Sequence, residues 1–329
     1  MRIGLIDVDS HNYPNLVLMK LSAYHKAQGD QAEWYTPLEH YDKVYMSKVF
    51  TSSPDYGYVV NADIVIKGGT GYAIHGAGGE HYVKEDDKPL PYEVEHIMPD
   101  YSLYGITDTA YGFLTRGCPR GCAFCIVGKK EGLCSVKVAD LTEFWSGQKN
   151  IVLNDPNLLA CRDWQNLLTQ LAESKALVDF NQGLDARVLT PAKCQALDKI
   201  RIKEIHFAWD RYEDKKKVLP KLEMFADICH QKMHGHNAIV YVLVNHTSTI
   251  EQDLERIYTL RDMGYWAYVM VYDKEHAPHI YTDLQRWCNN RFIFARCARF
   301  EDYGKTETKQ DKRQLTLFLT IQRSGINII

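Results

Sequence analysis

From about residue 106 onward the chain has six short runs rich in β-branched and aromatic residues, with longer stretches between them whose apolar side chains recur at helical spacing. Strands are expected at 106–114, 150–154, 177–181, 204–209, 238–245 and 266–272. Start signals mark several of the intervening helices. Asp140 is followed three residues later by Glu143, as in a capping box, and a helix from there should stop at Gly147. Thr190 stands before Pro191, a cap followed by a first-turn proline. Ser248 stands three residues before Glu251. Further helices are expected over 158–174 and about 213–233. A chain that alternates strand and helix in this way builds a parallel sheet, so the fold class is α/β. The first 75 residues read likewise, with strands at 3–8, 32–35, 43–50 and 62–67 and a helix over about 16–27 that stops at Gly29. We read them as a small Rossmann-like domain. Its Gly68-Gly69-Thr70-Gly71 run lacks the G-x-G-x-x-G spacing of a dinucleotide loop.

Directly after the expected strand at 106–114 comes TRGCPRGCAFCIVGKKEG, in which Cys118, Cys122 and Cys125 fall within eight residues as C-x-x-x-C-x-x-C. A structural zinc site takes four ligands, and an electron-transfer iron-sulfur cluster normally takes four cysteines. Three thiolates imply a metal centre with one position open for chemistry. A non-catalytic alternative stays open, in which Cys134 or a histidine supplies a fourth ligand and closes a structural zinc or iron-sulfur site in an interaction protein. Cys161, Cys194, Cys229, Cys288 and Cys297 are scattered along the chain, as buried small hydrophobes are.

At this spacing, and with the aromatic Phe124 just before the last cysteine, the stretch resembles the cluster loop of the radical S-adenosylmethionine (AdoMet) superfamily. The resemblance implies a 4Fe-4S cluster held by Cys118, Cys122 and Cys125, with AdoMet on the unligated iron. It implies reductive cleavage of AdoMet to start radical chemistry on a substrate, and a cytosolic low-potential electron donor of flavodoxin or ferredoxin type. It also implies that residues 105–300 form a partial (β/α)6 TIM-type barrel, behind an N-terminal Rossmann-like domain of cobalamin-binding type over 1–76. Such barrels place functional residues at the carboxyl ends of their strands. The resemblance therefore assigns cofactor-binding roles to Phe124 and to Asn154 and Asp155 after the second strand, with Asp155 on the methionyl amine. Gln182, Asp185 and Arg187 follow the third strand, with Arg187 suited to the methionyl carboxylate. Asp210 is placed near the ribose, and Val244 and Asn245, ahead of His246, near the adenine. In the N-terminal domain, Asp9 to Pro14 falls where relatives carry D-x-H-x-x-G, whose histidine binds cobalt. Here His11 is followed by Pro14 in the glycine position, and proline cannot offer the close backbone approach of glycine, so cobalamin is disfavoured.

Residues 77–104 are charged and turn-rich, with prolines at 89, 91 and 99, and read as a linker or covering loop. His75, His81 and His96 in or beside it match no metal spacing and are expected at the surface. Net charge is −3, which calls for neither nucleic acid nor an anionic membrane. Lys215-Lys216-Lys217 reads as a solvated helix start, and the extension over 301–329 is too short for the RNA-binding domain of tRNA-methylthiolating relatives. Acidic residues follow the first apolar run directly, and no apolar stretch is of spanning length, so a cytoplasmic protein without a membrane partner is expected. No motif names the substrate, and hydrolase and Walker signatures are absent.

Overall fold

The computed structural model of the protein describes residues 1–10, 13–75, 81–233 and 237–304. His11, considered above for cobalt, and the extension beyond residue 304 lie outside the described residues.

Four parallel strands open the chain: β1 (Arg2–Asp7), β2 (Gln31–Trp34), β3 (Tyr41–Ser47) and β4 (Ala62–Gly68), in the order β2-β1-β3-β4. The helix Leu16–Ala27 crosses from β1 to β2. It starts where Asn15 turns its side chain onto the Leu18 N–H, and it ends with His25 and Lys26 in the last turn, where the Lys26 charge complements the helix dipole. One apolar cluster joins Ile3, Leu5, Leu18, Leu21 and Ala32 with Val94, and another joins Ile6, Tyr41, Val44 and Met46. Val94 comes from the segment read as a linker. That segment holds β6 (His81–Tyr82), which pairs antiparallel with β5 (Ile74–His75) just before it, the short helix Tyr92–Glu95 and a turn over Tyr101–Tyr104. Its attachments are specific: Trp34 Nε1 of the first sheet donates to the Leu103 carbonyl, and Lys20 Nζ of the helix Leu16–Ala27 reaches the Glu95 carboxylate at 2.9 Å. His75 and His96 pair with Asp86 and Glu143 respectively.

The remaining strands are β7 (Thr109–Gly112), β8 (Thr115–Arg116), β9 (Val136–Lys137), β10 (Asn150–Leu153), β11 (Leu177–Leu184), β12 (Ile202–Ala208), β13 (Ala238–Val244) and β14 (Trp266–Val271). Six of them form a parallel sheet in the order β14-β13-β12-β11-β10-β7, which makes the architecture mixed α/β. Expected helices changed in detail. The capping box at Asp140 and Glu143 is present but leads only a single 3-10 turn, Leu141–Glu143. The stretch at 158–174 divides into a 3-10 turn, Leu158–Ala160, and a helix, Trp164–Ser174. Thr190 caps the helix Pro191–Asp198 as expected. The helix Ile250–Asp262 is boxed by Thr249 and Gln252, one residue later than the expected pair.

By compactness the chain divides into one unit of Met1–Ala208 with Lys216–Ile239, and a second of Trp209–Lys215 with Val240–Ile329. Within the second unit Arg256 is fully buried. Its guanidinium donates to the Trp209 and Leu243 carbonyls at 2.6 and 2.8 Å, to Ser248 Oγ at 3.0 Å and to Asp253 Oδ1 at 2.5 Å. Ser248 is drawn inward to this charge, which is why Thr249 takes the cap. Among the described residues no helix is long and apolar enough to cross a membrane.

Candidate functional site

The cysteine loop leaves the carboxyl end of β7 and is closed at its base. Thr115 and Arg116 of β8 pair antiparallel with Lys137 and Val136 of β9, so the two ends of the loop stand side by side. Inside this ladder the Cys118 N–H donates to the Gly132 carbonyl at 3.1 Å. The Glu131 carboxylate accepts from the Gly117 N–H at 3.0 Å and from the Arg116 guanidinium at 2.9 Å. Gly117 has φ +84, and a Cβ there would collide with the Cys134 carbonyl oxygen. Only glycine takes this turn without strain.

Cys118, Cys122 and Cys125 are each half-buried, and Phe124 between the last two is half-buried as well. Cys134 is exposed. Beside the loop stands Asn157, 1% exposed, whose Nδ2 donates to Cys118 Sγ at 3.4 Å while its Oδ1 is buried without a hydrogen-bond partner. Three thiols on one loop are the donor type of an iron-sulfur cluster, but their side chains are not gathered into a ligand set. Among the described residues, no three His, Cys, Asp or Glu side chains converge as the ligand set of a metal ion.

Asp155, at the carboxyl end of β10, is 4% exposed. Its carboxylate accepts from the Leu114 N–H at 3.1 Å, the Thr115 N–H at 2.5 Å and Thr115 Oγ1 at 2.6 Å. Burial pushes the acid up to about 6, against the opposing pull of those hydrogen bonds and of Arg116. The side chain expected to meet an amine thus anchors the strand end from which the cysteine loop departs. Its neighbour Asn154 presents Oδ1 to two donors, Tyr13 Oη and Asn181 Nδ2, each at 3.0 Å.

After β11 the expected trio divides. Asp185 is nearly buried and joins Arg187 at 2.8 Å to Arg120, which lies between the first two cysteines. Burial opposes ionisation of Asp185, but the two guanidinium groups hold its acid below the usual carboxylate range. Arg187 thereby already has a carboxylate partner of its own. Gln182 is exposed on an irregular stretch where the β11–β12 register shifts, the kind of bulge that redirects side chains near functional sites.

The other candidates belong to the second unit. Asp210 follows the buried Trp209. Val244 is fully buried and its carbonyl accepts from the Tyr272 N–H. Asn245 adopts φ +59 and donates from Nδ2 to the Tyr272 carbonyl at 3.0 Å, and the His246 ring packs edge-on against Tyr272.

No protein-family model matches the chain, and no curated protein does.

Sequence reasoning passed over Arg120, Asn157 and a polar group on the strands themselves: Asp179 and Asn181 on β11 with Glu204 and His206 on β12. The runs 177–181 and 204–209 are expected as strands, and each carries polar residues at alternate positions. That alternation is the available signal for a sheet face lined with polar groups.

Proposed function

We propose that the protein is a radical AdoMet enzyme, in which Cys118, Cys122 and Cys125 hold a 4Fe-4S cluster and AdoMet occupies the remaining iron. One observation carries this reading. Three half-buried thiols share one loop at the carboxyl end of a strand in a parallel sheet, with the loop closed at its base and Cys134 turned to solvent. In the finer fold that goes with it, the first four strands are a Rossmann-like domain and the six-stranded sheet is a partial (β/α)6 TIM-type barrel. When bound, the cluster and AdoMet would supply a 5'-deoxyadenosyl radical that abstracts hydrogen from the substrate.

The protein's own residues supply the frame. Asp155 fixes Leu114 and Thr115 and so sets where the loop begins. The Arg120–Asp185–Arg187 chain ties the loop to the end of β11, and Asn157 points a donor at the Cys118 sulfur. Phe124, half-buried in the loop, keeps the cofactor-binding role that the resemblance implies. Cluster binding would draw the three sulfurs together within the closed loop. Among the remaining candidates, Asn154 and Gln182, and in the second unit Asp210, Val244 and Asn245, keep the AdoMet-binding roles that the resemblance implies, as part of this proposal. Electrons would come from a low-potential donor of flavodoxin or ferredoxin type.

Anaerobic reconstitution tests the proposal. About four irons and four sulfides per chain are expected, with an electron-resonance signal that AdoMet perturbs and deoxyadenosine formed under reducing conditions. Replacing any of the three cysteines with Ala should abolish the product, while Cys134→Ala should retain it. Stoichiometric zinc with no response to AdoMet, or equal loss at Cys134, would sink the reading in favour of a closed structural site.

A further inference from the structure

Asp179, Asn181, Glu204 and His206 occupy one face of the sheet within the first unit. Asp179 stands beside Glu204 in the β11–β12 register, and the intervening Val178, Phe180, Ile205 and Phe207 are buried core residues. The face continues across β10 and β7. Asn181 Nδ2 bonds Asn154 Oδ1, Tyr13 Oη bonds the same oxygen, and the Tyr13 ring sits edge-on to Tyr111 at 5.4 Å.

The charges on this face are not balanced. Asp179 is 9% exposed, and its Oδ1 is buried with no hydrogen-bond partner. Among the described residues, neither Asp179 nor Glu204 has a Lys or Arg within ion-pair distance; each has only His206, at 4.0 and 3.9 Å. His206 is itself buried and its pKa is lowered by that burial, which favours the neutral ring. With Nδ1 3.0 Å from the Phe180 carbonyl, the ring proton belongs on Nδ1, and Nε2 is its acceptor. Burial, with the neighbouring Glu204 charge, pushes the Asp179 acid up to about 6. An unpaired buried carboxylate is among the costlier things a fold can hold, and here Asp179 is one, with the partly exposed Glu204 carboxylate and a neutral histidine beside it.

We propose that this face binds a primary ammonium group of the substrate, with Asp179 and Glu204 as its charge partners and the His206 ring beside them. An ammonium is a compact charge with three rotatable donors, suited to acceptors that converge from separate strands. A planar guanidinium instead seeks one carboxylate edge in bidentate fashion. The Tyr13–Asn154–Asn181 chain would form the polar wall beside the amine. This assignment rests on the radical AdoMet reading for the word substrate, but the binding itself needs neither cluster nor AdoMet.

The test therefore uses the full-length protein without its cluster, titrated with n-butylammonium and followed by the His206 imidazole resonances in NMR. Saturable binding that shifts His206 is expected, with butan-1-ol producing no shift. Asp179→Asn and Glu204→Gln should each weaken binding about tenfold or more, the scale of one lost charge-assisted hydrogen bond, while the control Glu213→Gln should bind as the parent does. Glu204 is one-third exposed along its side chain, so its Gln variant keeps the test decisive if Asp179→Asn does not fold. No shift at His206, unchanged affinity in the folded carboxylate variants, or n-butylguanidinium binding as tightly as n-butylammonium would overturn the proposal. Cluster assembly in a protein that fails this test would leave the enzyme reading standing.

Discussion

Replacing Asp155 with Ala tests how the cysteine loop is anchored. The change removes the acceptor of three donors that belong to fully buried residues, the N–H groups of Leu114 and Thr115 and the Thr115 hydroxyl. Each buried donor left unpaired costs about 1–3 kcal/mol. Against this stands the burial of the charge itself. The folded acid titrates at about 6, above the ordinary 3.8. A raised folded value means that stability from this group is fully present below the unfolded pKa and is lost as pH rises through the folded one. Linkage then makes the cost of Asp155→Ala about 2 kcal/mol smaller at pH 7.5 than at pH 4.5. We expect a loss of about 3–5 kcal/mol at pH 4.5 and about 1–3 at pH 7.5. Urea unfolding of parent and variant at both pH values measures it, with Asp155→Asn, which keeps one acceptor, falling between. A cost below about 1 kcal/mol at both pH values, or one that grows toward pH 7.5, refutes the anchoring argument.

Other residues give sharper structural tests. Gly117→Ala forces a side chain into the Cys134 carbonyl at a positive φ, so it should cost about 1–3 kcal/mol and lower iron uptake on reconstitution; unchanged uptake would count against the loop geometry. Asp253→Ala leaves the fully buried Arg256 charge without its carboxylate, for which about 3–5 kcal/mol is expected in chemical denaturation, and a near-neutral result would contradict the burial. Tyr101→Phe orphans the Phe144 carbonyl and the Tyr111 N–H, predicting a loss of about 1–3 kcal/mol by the same assay.

The alternation of strand and helix was legible because buried strands here are short apolar runs with clear caps between them, as at Thr190-Pro191. Boundaries slipped where tertiary contacts outbid local preference. Ser248 has the chemistry of a cap, but the buried Arg256 and Asp253 take its hydroxyl. Residues 77–104 looked like a linker because charge and proline dominate the composition; Val94, with Leu90 and Leu103 partly buried around it, packs on the first sheet nonetheless. The cysteine spacing could be read directly, since its residues are adjacent in the chain. The partners of the loop could not. Asp185 meets Arg120 across 65 positions, and Asp155 serves Thr115 across 40. Such pairings arise from strand order, which no single sequence displays.

The ladder of β8 and β9 has a consequence for how the protein would live with oxygen. In a loop whose shape depended on its metal, each oxidative loss would unravel the site. Here the two ends of the loop are stitched by backbone bonds, Asp155 fixes the entry, and Glu131 and Gly132 hold the base, so part of the ordering entropy is met by the chain alone. If the proposed cluster is bound there, a damaged centre would be stripped and rebuilt on a loop whose ends stay in place, making the polypeptide the long-lived part and the inorganic centre the replaceable one.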